Sequence, residues 1–154
     1  MKSRTLLFVI GFACLGLLAF ALYLQEVRYM LPCPLCIMQR YAFLCVALFC
    51  LGGASFNAPK TGAGLGLTAS LGGIGVAAHH LWVQAHPEVS CGADPLEKLL
   101  NVAAPSHWWP MMFKADGMCT AGYDPILGLS IPQWSLTWFV LLSASLLFIL
   151  FRRR

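Results

Sequence analysis

The sequence predicts an all-α integral membrane protein: a four-helix bundle with both termini cytoplasmic and one long outer loop between helices 3 and 4. Three observations predict it. The 154-residue chain is 59% hydrophobic and only 10% charged, with a mean hydropathy of +0.74. A soluble domain carries roughly 25% charge, so this chain lacks the polar surface to coat a water-exposed globule. Four stretches, about 5–24, 37–56, 62–83 and 134–151, approach the about 20 apolar residues that a bilayer crossing needs. Their polarity does not alternate as a barrel strand's would. They must therefore be helices, because an unpaired peptide group in hydrocarbon costs several kcal/mol.

The first span follows Lys2 and Arg4. Its Ala19-Phe20-Ala21 is the kind of small-residue site at which a signal peptide is cut, but the apolar run continues through Leu22, Tyr23 and Leu24 to full membrane length. A retained span is expected. An outer loop, about 25–36, leads into Cys33-Pro34-Leu35-Cys36 and the second span. The turn Asn57-Ala58-Pro59-Lys60-Thr61 is long enough only to join antiparallel neighbours. The third span carries two small-residue ladders, Gly62/Gly66/Ser70 and Ala69/Gly73/Ala77, which let helix backbones approach closely. The long segment, about 84–133, is broken by prolines at 87, 95, 105, 110, 125 and 132, so only short helices fit. Leu96, Leu99 and Leu100 have helical spacing there, and Trp108, Trp109, Met111, Met112 and Phe113 read as an anchor at headgroup level. The fourth span runs into Arg152, Arg153 and Arg154.

Charge sets the expected orientation. Lys2, Arg4, Lys60 and the three terminal arginines fall on one side, which the positive-inside rule assigns to the cytoplasm. All six acids, Glu26, Glu88, Asp94, Glu97, Asp116 and Asp124, fall on the other.

The seven cysteines divide by location. Cys14, Cys45 and Cys50 lie inside spans, where a thiol acts as a small apolar group. Cys33, Cys36, Cys91 and Cys119 fall on the outer side, where disulfides persist. Four cysteines admit three pairings, of which the natural one joins Cys33 to Cys36 and Cys91 to Cys119. A structural staple from Cys91 to Cys119 would contribute roughly 3 to 4 kcal/mol, yet the small ring of Cys33 and Cys36 would constrain little chain. A four-thiolate zinc site is disfavoured, because Cys91 and Cys119 are too far apart to form a second knuckle. Redox chemistry is the better expectation, and no resident metal is expected.

Local physics points to Cys36. With Cys33 as N-cap, Pro34 occupies the first helical position, where its missing N–H costs nothing. Cys36 then falls in the first turn, where unpaired N–H groups and the helix dipole favour a thiolate. Arg40 follows four residues on, along the same face. A cation inside a span costs at least a few kcal/mol, so Arg40 needs a polar partner, and the Cys36 thiolate is the nearest candidate. Gln39 offers a weaker second polar group.

This layout resembles the bacterial disulfide bond formation protein B (DsbB) family. The resemblance rests on the C-x-x-C opening the second of four spans, Arg40 four residues beyond Cys36, two further outer cysteines, and Pro132-Gln133-Trp134 opening the last span. It covers essentially the whole chain, as one DsbB-like membrane domain, 1–154, in the bacterial inner membrane with its cysteines facing the periplasm. It implies an oxidase that reoxidises a DsbA-like periplasmic thiol oxidase and passes two electrons to ubiquinone or menaquinone. Cys33 and Cys36 match the pair beside the quinone, with Cys36 engaging it, and Arg40 matches an arginine supporting both. Cys91 and Cys119 match the loop pair that meets DsbA, with Cys91 in the mixed disulfide. His80 matches a histidine near the quinone. Ile131 and Met118 depart from relatives that carry methionine and an acid there. The competing expectations are a quinone reductase resembling the vitamin K epoxide reductases, and a disulfide-stapled scaffold without turnover.

Overall fold

The computed structural model describes residues 3–86, 88, 93–119 and 125–152. Four long helices carry it: α1 (Ser3–Arg28), α2 (Pro34–Ser55), α3 (Pro59–Ala85) and α7 (Ile131–Phe151). Three short ones, α4 (Ala93–Val102), α5 (Ala104–Trp108) and α6 (Pro110–Phe113), lie between α3 and α7. No strand occurs among the described residues; Ile126 and Leu129 form one isolated bridge. All four long helices have the length and hydropathy of membrane spans.

Each helix outruns its predicted span by a few residues at one or both ends, because backbone capping, not hydropathy, sets where a helix stops. At α1 the stop is Tyr29, at φ 53°. Prolines open the others: Pro34 begins α2, Pro59 begins α3, and Pro132 sits in the first turn of α7. The Ser130 N–H donates to Gln133 Oε1 at 2.8 Å, closing the last of these N-termini.

Packing runs in chain order around the bundle. Each neighbouring pair α1/α2, α2/α3 and α3/α7 is in broad contact, whereas α1 and α7 barely meet. Both small-residue ladders of α3 are used. Gly62 lies against Gly53 of α2, and Gly66 faces Cys50 and Leu146. A Cβ on Gly73 would strike the Phe139 ring, which stacks on Phe43 with centroids 4.0 Å apart. Ser70 Oγ donates to the Phe139 carbonyl at 3.0 Å and lies 2.9 Å from Ser143 Oγ, a buried polar tie between α3 and α7. Cys14 and Cys50 are buried, as expected of apolar filler, and Cys45 is half-buried.

The aromatic segment divides in a way the sequence did not show. Trp108 and Trp109 are exposed, as an interfacial anchor would be, but Met112 and Phe113 are buried. Phe113 stacks on Tyr41 of α2 at 4.7 Å, which seats α6 on the bundle. Arg4, Lys60 and Arg152 share one end of the antiparallel bundle; Cys33 and Cys36 stand at the other.

Candidate active site

Cys33 has extended backbone (φ −78°, ψ 166°), and its Sγ accepts the Cys36 N–H at 3.2 Å, so it caps α2 as predicted. Pro34 then presets the first turn, and Cys36 falls within it. The two thiols are free, and Cys33 Sγ donates to Cys36 Sγ at 2.9 Å. Closing them into a disulfide requires an approach of only about 0.9 Å. Cys33 lies just outside the helix and is 2% exposed. Its hydrogen bond to Cys36, and then burial, push its thiol well above the ordinary range. The proton therefore stays on Cys33, leaving the Cys36 sulfur as the acceptor.

Arg40 is buried, so it does not reach out to headgroups. Its hydrogen-bond partners correct the expectation from sequence. Nη2 donates to Gln25 Oε1 at 2.9 Å, and Nη1 donates to the carbonyls of Met112 at 3.0 Å and Met111 at 3.4 Å. The guanidinium fork thus joins α1, α2 and α6, and none of these hydrogen bonds goes to Cys36. Neutral oxygens suffice because they satisfy the donors without a second buried charge.

His80 is buried and sits in the same pocket. Its Nε2 lies 3.6 Å from Cys33 Sγ, its Nδ1 lies 3.2 Å from Gln39 Nε2, and the Cys119 backbone hydrogen-bonds the ring. The adjacent His79 is exposed and stacks on Trp82. Cys119 is buried and disulfide-bonded. Cys91 lies outside the described residues.

Two backbone bonds bring Cys119 to Cys33. The N–H groups of Asp116 and Gly117 both donate to the Pro32 carbonyl, at 3.1 and 3.0 Å. Glycine is required at 117, since a Cβ would strike the Leu31 carbonyl. Asn101 clamps the same stretch from α4 through a reciprocal pair with Ala115, at 2.9 and 3.1 Å. Cys33, Leu35, Val83 and Cys119 consequently form one buried cluster. Gln25, Asn101 and Gly117 were not singled out from sequence. The signal available was slight: a glutamine at the end of an apolar run, and one glycine in a polar loop.

A cavity of about 360 Å³ opens beside these groups. Its polar end holds Cys33, Cys36, Gln39, Arg40 and His80, and its wall includes Cys119, Met118 and Ile131. Its other walls are mostly apolar side chains of α1, from Leu17 to Leu24, and of α7, including Trp134 and Trp138, with residues 30–32 and 126–127 and the polar Gln84 and Ser135. α1 and α7 make few contacts with each other, so the cavity lies along the seam between them.

Comparison with known proteins shows the family of the chain. Residues 3–149 match the family model described as disulfide bond formation protein DsbB. A disulfide bond formation protein B of Herminiimonas arsenicoxydans is 52% identical over 156 residues, covering 99% of this chain and 98% of the relative. The proteins of that name from Ralstonia nicotianae and Burkholderia thailandensis are 43% and 42% identical, covering 99% of this chain and 96% and 92% of theirs. With a C-x-x-C capping the second of four apolar helices and Cys119 packed against it, the chain belongs to the DsbB family of multi-pass membrane proteins of disulfide bond formation.

Proposed function

We propose that this protein is a membrane thiol oxidase that reoxidises a DsbA-like periplasmic partner and delivers two electrons to a membrane quinone. The observation that carries the reading is the packing of Cys119 against Cys33 beside a cavity lined by a few polar groups and by apolar side chains of α1 and α7. A dithiol relay needs its two pairs adjacent, and a lipid-soluble acceptor needs a way in from the bilayer. The Cys33–Cys119 contact supports the first requirement, and the seam between α1 and α7 supports the second.

The cavity suits a quinone. Its volume lies in the range of small-ligand sites. The polar end offers the Arg40 guanidinium and the His80 ring for quinone oxygens, and the α1/α7 seam accepts an isoprenoid tail. Ubiquinone and menaquinone both meet that description. When bound, the quinone supplies a sink for two electrons and two protons.

The protein's own steps are thiol–disulfide exchanges. A reduced partner's thiolate attacks the Cys91–Cys119 disulfide at Cys91, forming a mixed disulfide and releasing Cys119. The partner's second thiol attacks the mixed disulfide and leaves oxidised, so Cys91 and Cys119 now hold the two electrons. The Cys119 thiolate attacks the Cys33–Cys36 disulfide at Cys33, its packed neighbour, and releases Cys36 as a thiolate at the quinone end. Cys91 then attacks Cys119, restoring that disulfide and freeing Cys33. Arg40 and the α2 N-terminus stabilise negative charge on Cys36. For a partner at the about −120 mV already established for DsbA-type oxidases, only a more oxidising acceptor draws electrons this way.

This reading places the two-cysteine motif, Cys91 and Cys119 on the periplasmic face of an inner membrane, with the whole chain working as one domain. Arg4, Lys60 and Arg152 at the opposite end of the bundle support that orientation. The test is turnover: purified protein given reduced DsbA and excess quinone should form quinol and oxidised DsbA one for one. Intact protein that turns over with none of several quinones would overturn the assignment.

A further inference from the structure

We propose that the reduced form is also a binding site for a soft divalent ion, Zn²⁺ or Cd²⁺, with Cys33, Cys36 and His80 as its three protein ligands. Cys33 Sγ, Cys36 Sγ and a ring nitrogen of His80 all lie within 4.8 Å of one another at the polar end of the cavity. This differs from the four-thiolate arrangement that the cysteine spacing argues against. Two thiolates and an imidazole form a donor set suited to zinc-like ions, and the adjoining cavity leaves a fourth position for water.

The fit is close. About 2.3 Å from a tetrahedral ion, two sulfurs stand about 3.8 Å apart. The observed 2.9 Å therefore widens by about 0.9 Å through side-chain rotation of the cysteines. The 3.6 Å between Cys33 Sγ and His80 Nε2 already matches an S–N pair on one ion. Ligation through Nε2 places the proton on Nδ1, where Gln39 lies 3.2 Å away. Turning the Gln39 amide presents its oxygen to that N–H, the outer-shell support that ligating histidines use. The ion must replace the ring's hydrogen bond to the Cys119 backbone. Arg40 opposes a dication, but two thiolates neutralise the ion and Arg40 keeps its own oxygen partners.

An ion held here occupies both sulfurs, so the Cys33–Cys36 disulfide cannot form until it leaves. At a hundred times its Kd, free ion favours the dithiol about 100-fold. The site would make the oxidase sensitive to soft metals only while it is reduced.

The test is Cd²⁺ titration of the detergent-solubilised full-length chain carrying Cys91→Ser and Cys119→Ser, followed by the thiolate-to-cadmium absorption in the ultraviolet. The reduced chain should bind one ion, and the chain with Cys33 and Cys36 oxidised should bind none. His80→Ala should weaken binding at least about tenfold, and His80→Cys should restore it, with helical content checked by circular dichroism. No absorption in the reduced chain, full absorption after Cys33→Ser with Cys36→Ser, or unchanged affinity in His80→Ala would each overturn the site. The measurement uses neither quinone nor partner, so its failure leaves the oxidase reading standing.

Discussion

Cys33 and Cys36 share one helix turn but differ in their surroundings. Cys33 is buried, and it is held protonated by its bond to Cys36. Its neutral form is the favoured one in the folded chain. The stability this contributes is present below the ordinary thiol pKa and is lost as pH rises above it. Alkylation of Cys33 in the reduced chain should therefore be slow at neutral pH and should still be accelerating beyond the ordinary thiol range, followed by mass spectrometry of the tagged peptide. Either Cys33→Ser or Cys36→Ser should abolish quinol formation, and Cys91→Ser should abolish the trapped mixed disulfide with DsbA. Full turnover by Cys36→Ser would show that the electron route is wrong. Arg40 acts through a planar fork that reaches Gln25 and the α6 carbonyls together. Charged hydrogen bonds contribute about 1.5–3 kcal/mol each, so Arg40→Ala should raise the KM for quinone about tenfold or more. Arg40→Lys should restore little, because a point charge cannot span both partners.

Among the elements, α3 shows how small residues set the geometry. Gly73 admits the Phe139 ring, which in turn stacks on Phe43. Gly73→Ala should destabilise the bundle by about 1–3 kcal/mol through overpacking, measured by thermal unfolding in detergent. Gly16→Ala is the control, since nothing lies within 4 Å of a Cβ there; its expected effect is neutral or slightly stabilising. The same helix presents His80 to the redox pair, so a shift of α3 against α7 would also be felt at the site. α6 does comparable work with four residues. It supplies two carbonyls to Arg40 and one ring to Tyr41, so an apparently interfacial segment supports the arginine of the site.

For the whole molecule, the open seam between α1 and α7 is the feature with a functional consequence. Ser135→Trp, in the α7 wall of the cavity, should raise the KM for a long-tailed quinone more than for a short-tailed analogue. Equal effects on both would argue against entry by this route. Orientation is checked separately. After reduction, with mild denaturant unfolding the outer face on sealed vesicles, an impermeant thiol reagent on the periplasmic face should tag Cys91 and Cys119, whereas tagging only from the cytosolic face would invert the proposal.

The sequence alone determined the four spans, the helical fold and the capping of α2 by Cys33, because these follow from hydropathy and from rules acting over one helical turn. It also drew attention to Arg40, since a cation inside an apolar span needs a partner, whereas His80 was marked only by the family resemblance. Tertiary structure decided what those groups touch. The Arg40 fork is satisfied by Gln25 and by carbonyls of α6, residues 15 and about 71 positions away. Cys119 reaches Cys33 through backbone bonds to Pro32 that no spacing rule encodes. Local periodicity specifies which face of a helix is apolar, but contacts between distant segments depend on how those faces pack in three dimensions.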